Sequence, residues 1–120
     1  MARILLAEDD AAVSEFVRRA LTSAGHDVTA VHDGGAALER LMAEPFDLLL
    51  TDIVMPVMDG IELALTVADE CPDLRILMMT AYAAEKQRAH NLDVLIHDVV
   101  LKPFTLQQIV AAVRTALSNP

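Results

Sequence analysis

Five side chains able to do chemistry stand just after short apolar runs. Glu8 and Asp9 follow the run at 4–7, Asp52 the run at 48–50, Thr80 the run at 76–79, and Lys102 the run at 99–101. If those runs are strands of one sheet, three carboxylates, a hydroxyl and an ammonium group share one edge. Carboxylates held together repel, so either a pKa rises or a hard cation neutralises them. A few oxygen ligands with water completing the shell suit Mg²⁺. A carboxylate can also attack phosphorus to give an aspartyl phosphate, with the metal and Lys102 offsetting charge on the transferring oxygens and Thr80 bonding another. Each residue alone has a plainer reading. Asp9 or Asp10 can cap a helix, Asp52 can serve the turn before Met55-Pro56, Thr80 can end a strand, and Lys102 can be a surface lysine. Only the conjunction favours chemistry.

The elements that must position these groups follow from hydrophobic periodicity. The runs at 4–7, 28–31, 48–50, 76–79 and 99–101 are continuous rather than alternating, as parallel strands covered on both faces should be. Amphipathic stretches separate them. The first, at 12–24, places Val13, Phe16, Val17, Ala20, Leu21 and Ala24 on one face, with Gly25 as its stop. The others are read at 35–43 (Leu38, Leu41, Met42), at 61–71 (Ile61, Ala64, Leu65, Ala68, with Cys71 as a helix residue before Pro72), at 84–92 and at 105–117 (Leu106, Ile109, Val110, Val113, Leu117). The stretch at 84–92 has few apolar anchors and is expected to be the least stable helix; Thr105 is the expected N-cap of the last. Five strand-then-helix units with right-handed crossovers predict a three-layer (βα)5 α/β domain, a doubly wound parallel five-stranded sheet.

Composition narrows the function. With 120 residues, one domain is expected, spanning 1–120. No apolar run approaches the roughly 18 residues that span a membrane, and the N-terminus turns acidic too soon for a signal peptide, so no membrane and a cytoplasmic location are expected. A net charge of −9 disfavours nucleic acid, and 3% aromatics with no Trp leave little for base stacking. Cys71 is the only cysteine, which excludes an internal disulfide. His26, His32, His90 and His97 share no ligand spacing and are read as structural or solvent-facing rather than as phosphorylation relays.

The motifs Ile4-Leu5-Leu6-Ala7-Glu8-Asp9-Asp10, Asp52-Ile53-Val54-Met55-Pro56-Val57-Met58-Asp59-Gly60, Met79-Thr80-Ala81 and Lys102-Pro103-Phe104 together resemble the receiver domain of bacterial response regulators, the CheY-like family, from end to end. The resemblance implies a flavodoxin-like sheet of order 2-1-3-4-5. It implies Asp52 as phospho-acceptor from a histidine kinase or histidine phosphotransferase, and Mg²⁺ held by Asp9, by Glu8 through water, by Asp52 and by the Val54 backbone carbonyl. Thr80 and Lys102 would contact the phosphoryl group. It also implies a cis Lys102-Pro103 bond and a turn into the third helix at Asp59-Gly60. Val54 and Tyr82 stand where the family tunes the life of the phosphoryl group. Two positions depart from the pattern: Val99 replaces the aromatic residue that turns inward on activation, and Leu95 replaces the usual Gly. Tyr82 is a candidate substitute for the aromatic. No output domain follows Leu117, so the output is expected to be another protein. Some stand-alone members of the family are adaptors delivering substrates to the ClpXP protease, which implies a downstream partner of that kind.

Three other classes fit these residues less well. An Mg²⁺-dependent aspartate-nucleophile phosphatase would need a second acid two residues after Asp52, where Val54 stands. A flavodoxin-type binding module would need a phosphate loop where Glu8 and Asp9 stand. A constitutive unphosphorylated adaptor would have no use for the intact acidic set.

Overall fold

In the computed structural model, which describes residues 2–91 and 95–118, the chain alternates strands and helices as the periodicity requires. Strand β1 (Arg3–Ala7) leads to α1 (Ala11–Ser23), β2 (Asp27–Val31), α2 (Gly34–Ala43), β3 (Leu48–Asp52), α3 (Gly60–Val67), β4 (Arg75–Thr80), α4 (Ala83–His90), β5 (Asp98–Leu101) and α5 (Leu106–Ser118). The sheet is parallel throughout, in the order β2-β1-β3-β4-β5. The predicted doubly wound three-layer α/β fold is therefore observed.

The continuous apolar runs are explained by the two-residue period of a strand. Leu5, Ala7, Leu49, Ile76, Met78 and Val99 join one core layer with Ala37, Leu41, Leu63, Ala64 and Val67 of α2 and α3. Their neighbours Ile4, Leu6, Leu48, Leu50, Leu77 and Met79 join the other, with Val17, Ala20 and Leu21 of α1 and Ile109, Val113 and Ala116 of α5. A strand that feeds both layers has no polar face to offer. All five residues of β3 are buried, so Asp52 is delivered to the edge by the most enclosed strand of the sheet.

Helix starts are set by local hydrogen bonds. Asp10 accepts from the Ala12 and Val13 amides, Asp33 from Ala36 and Asp59 from Glu62, which satisfies N–H groups the helices cannot bond internally. Thr105 caps α5 as expected, in a reciprocal capping box: its Oγ1 accepts from the Gln108 amide at 3.1 Å, and its own amide donates to Gln108 Oε1 at 2.7 Å.

Several side chains read as core-facing are not. Phe16, Met42, Leu65 and Leu106 are exposed, because the buried stripes are rotated: Leu63 and Val67 line the core in α3, and Ala116 does so in α5. Helix α3 also ends at Val67 rather than 71. Cys71 lies beyond it, its amide bonded to the Val67 carbonyl at 2.8 Å. Helix α4 buries only Ala89 and has no side-chain cap, the weakest anchorage of the five. Its predicted end at Leu92 lies outside the described residues.

Candidate functional site

Register brings the strand ends to a common level. Ala7 pairs with Thr51, Asp52 with Met79, and Thr80 with Leu101, so the residues next in line converge at one edge. Glu8 is fully buried; its amide donates to the Val31 carbonyl at 3.1 Å and its Oε2 accepts from the Asp10 amide at 3.0 Å. Asp52 is buried, with Oδ1 accepting from the Val54 amide at 3.3 Å. Asp9 is exposed. One oxygen from each of the three carboxylates lies within 4.8 Å of the others.

Lys102 reaches across the sheet to join two of them. Its Nζ lies 2.5 Å from Glu8 Oε1 and 2.6 Å from Asp52 Oδ2. The backbone just before it is aimed by β4, since the Lys102 amide donates to the Thr80 carbonyl at 2.8 Å. The Lys102-Pro103 peptide is cis, as the resemblance implied. Thr80 is fully buried and its Oγ1 accepts from the Tyr82 amide at 3.1 Å. The hydroxyl is thereby held at the end of β4. Val54 is exposed beside Asp52, and so is Tyr82 at the start of α4. Val99 is buried in the α2/α3 layer, with Leu95 packed against it.

Electrostatics follow from burial. Desolvation pushes Glu8 up to about 7, partly opposed by its hydrogen bond to Lys102. Burial alone would lower Lys102, but hydrogen bonds to Asp52 and Glu8 hold it above its usual range. One ammonium thus compensates two carboxylates while Asp9 has none from Lys102. Mg²⁺ takes oxygens at about 2.1 Å, so its direct ligands lie no more than about 4.2 Å apart. The 4.8 Å limit on the acidic set fits such an ion with a small closure or with one carboxylate acting through water. The donor set is all oxygen and acidic, as this hard cation requires.

The structure thus brings together Glu8, Asp9, Asp52, Thr80 and Lys102, with Val54 adjoining. Sequence reasoning did not foresee that Gly60 abuts Asp52: a Cβ there would lie 2.3 Å from the Asp52 carbonyl oxygen. The Asp-Gly turn was the available signal. Nor did it foresee the ion pair from Arg88 to Asp59, 2.7 Å long. His32, read as structural or solvent-facing, has Nδ1 3.1 Å from the Glu8 carbonyl and so supports the site from behind. A hollow of about 380 Å³, lined by Ala12, Val13, Phe16, Ala81 and Phe104, flanks Lys102. A larger one of about 710 Å³ opens near Arg75 and His97, where β4 and β5 begin, away from the acidic set.

The response regulator receiver domain model matches residues 4–114. The chain is 46% identical over 117 residues to the response regulator receiver protein CpdR of Brucella abortus, covering 98% of each. It is 38% identical to the response regulator MprA of Mycobacterium ulcerans, of which it spans 50%. Among solved structures it is similar to the chemotaxis response regulator CheY4 of Vibrio cholerae, with a TM-score of 0.89 at 27% identity, covering 98% of this chain and 99% of that one. The response regulator TrrA of Thermotoga maritima, solved in complex with Mg²⁺-BeF, gives 0.88 at 26% identity, covering 98% and 100%.

Proposed function

Because this chain belongs to the response regulator receiver family, we propose that it is a signalling switch set by phosphorylation of Asp52. The observation that carries this reading is the Lys102 ammonium bridging Glu8 and Asp52 at 2.5 and 2.6 Å: a cation already stands where charge would develop on a transferring phosphoryl group. An Asp52 carboxylate oxygen attacks the phosphorus of a phosphohistidine on a histidine kinase or phosphotransferase. The P–O bond forms, the P–N bond breaks, and the imidazole leaves with the electron pair. Lys102 turns from the carboxylates toward a phosphoryl oxygen, and Thr80 donates its hydroxyl to another. Asp9, Asp52, the Val54 carbonyl and Glu8 through water are the groups that would hold Mg²⁺. Bound there, Mg²⁺ supplies positive charge that shields the acceptor and the incoming oxygens from each other.

Receivers are switches rather than turnover enzymes, and Val54 leaves no acid placed two residues beyond Asp52 to protonate a phosphoester leaving group. The output is a change in affinity for a partner at the α4 and β5 surface. Buried Val99 leaves that surface without the family's aromatic residue at its position. The similarity to CpdR supports a protein partner, with adaptor service to the ClpXP protease as the finer reading. A cytoplasmic setting without nucleic acid or lipid fits the charge of −9 and a chain in which no described helix is long and apolar enough to cross a membrane.

The test is intact mass after incubation with acetyl phosphate and Mg²⁺, for the wild type and Asp52→Asn. A gain of about 80 Da, one phosphoryl group, that requires both Mg²⁺ and Asp52 supports the switch. No gain in the wild type favours the constitutive adaptor instead.

A further inference from the structure

Helix α4 buries only Ala89 and lacks a side-chain cap, yet it is tied to the acceptor side of the domain by one long-range ion pair. Arg88 Nη2 lies 2.7 Å from Asp59 Oδ2, and Arg88 Nη1 reaches Glu85 within the helix at 2.8 Å. The other oxygen of Asp59 is already in use. Oδ1 accepts from the Glu62 amide at 2.8 Å and so starts α3. With both oxygens engaged, the carboxylate is held against rotation, and Asp59 serves as a joint between α3 and α4.

That joint is the far end of the segment that leaves Asp52. At the near end, the Val54 amide donates to Asp52 Oδ1. At the far end, next to Asp59, the Gly60 amide donates to the Ile53 carbonyl at 2.8 Å, and a Cβ on Gly60 would lie 2.3 Å from the Asp52 carbonyl oxygen. A displacement of Asp59 therefore passes to Gly60 and on to the backbone of Asp52 itself.

We propose that Arg88 is a positioning residue for phosphoryl acceptance: by gripping Asp59 it fixes the segment after Asp52 and couples the placement of α4 to the acceptor. This rests on the reading of Asp52 as phospho-acceptor. The pair is partly exposed, with side chains 46% and 33% accessible. Its effect is accordingly that of a surface ion pair, about two- to fivefold in rate.

The experiment compares initial rates of phosphate uptake from acetyl phosphate with Mg²⁺ in the full chain and four variants. Arg88→Gln is expected to slow uptake about two- to fivefold. Asp59→Asn, whose amide oxygen still caps α3, is expected to slow it equally. The double variant should be no slower than either single one, and Arg88→Lys should recover most of the rate. Wild-type rates in Arg88→Gln, or losses that multiply in the double variant, overturn the proposal. Amide hydrogen exchange separates this from the parent reading. Exchange at Gly60 and Glu62 should quicken in Arg88→Gln whether or not phosphate is taken up. Unchanged exchange overturns the coupling, whereas a wild type that takes up no phosphate overturns the acceptor reading.

Discussion

Substituting Gly60 by Ala tests how tightly Asp52 is built into the fold. Gly60 opens α3, and its backbone needs no left-handed angle, so conformational freedom is not the reason for glycine. The reason is space. A Cβ would stand 2.3 Å from the Asp52 carbonyl oxygen, 3.1 Å from Ile53 Cα and 3.2 Å from the Asp52 carbonyl carbon. All three are backbone atoms at the enclosed end of β3 or just past it, with no flexible side chain to swing away. The contact must open by roughly 1 Å, and overpacking of this kind costs about 1–3 kcal/mol. Better helix propensity returns at most about 0.5–1 kcal/mol. The net loss, up to about 2.5 kcal/mol, lowers the melting temperature by up to roughly 10 °C for a domain this size. Function should suffer more than stability, since the displaced backbone is that of Asp52: an error near 1 Å at a reacting group costs up to about 100-fold. Thermal melting by circular dichroism and phosphate uptake by mass are the assays, with Gly25→Ala as control. Gly25 has φ +99° and nothing within 4 Å of an added Cβ, so that variant should lose stability through backbone strain and keep normal uptake. Wild-type melting and uptake in Gly60→Ala would show that the end of β3 yields to the added methyl and that Asp52 is not tightly held there.

Removing the bridging ammonium with Lys102→Met should destabilise the domain by about 1–3 kcal/mol in the absence of divalent cations. That is less than a fully stranded charge pair would cost, because Glu8 can take up a proton; millimolar Mg²⁺ should restore much of the loss, and equal denaturation midpoints with and without Mg²⁺ would count against the acidic set as a cation site. His26 accepts the Ala2 amide on Nδ1 at 3.2 Å, and burial pushes its pKa below the ordinary 6.5. The fold therefore favours the neutral ring, and the stability it contributes is present above about pH 6.5 and lost as pH falls through the lowered folded value. Urea midpoints at pH 7.5 and 5.5 should differ less in His26→Leu than in the wild type. Val57 has φ +71° and is 82% exposed, a β-branched residue in the left-handed region with little burial to compensate. Val57→Asn should raise stability by about 0.5–1 kcal/mol in urea unfolding, and an unchanged midpoint would show that the strain is not there.

Much of the fold was legible because strand and helix patterns are local. The continuous runs at 48–50 and 76–79 read as doubly covered strands, and β3 and β4 lie there. The Thr105 cap and the end of α1 near Gly25 were equally readable, since each depends on residues within a turn of one another. Helix faces were less so. Leu65 and Phe16 have the right character for a core, but their exposure depends on the rotation of α3 and α1 against the sheet, which neighbouring layers set. The end of α3 was misplaced for a related reason: Pro72 marks where the helix must have stopped, whereas the last residue buried against the sheet, Val67, marks where it does.

The strand-helix alternation and the kinds of residue at the strand ends are written in the chain alone: two acids after β1, one ending β3, a hydroxyl ending β4 and a lysine after β5. These are properties of composition and spacing along the chain. It takes the folded sheet to make Lys102, 94 residues from Glu8 and 50 from Asp52, bond both, to leave no room for a Cβ on Gly60 beside the Asp52 carbonyl, and to bring Arg88 to Asp59. Those relations come from strand order and register, which place distant residues within ångströms, and no local pattern encodes a distance across a sheet.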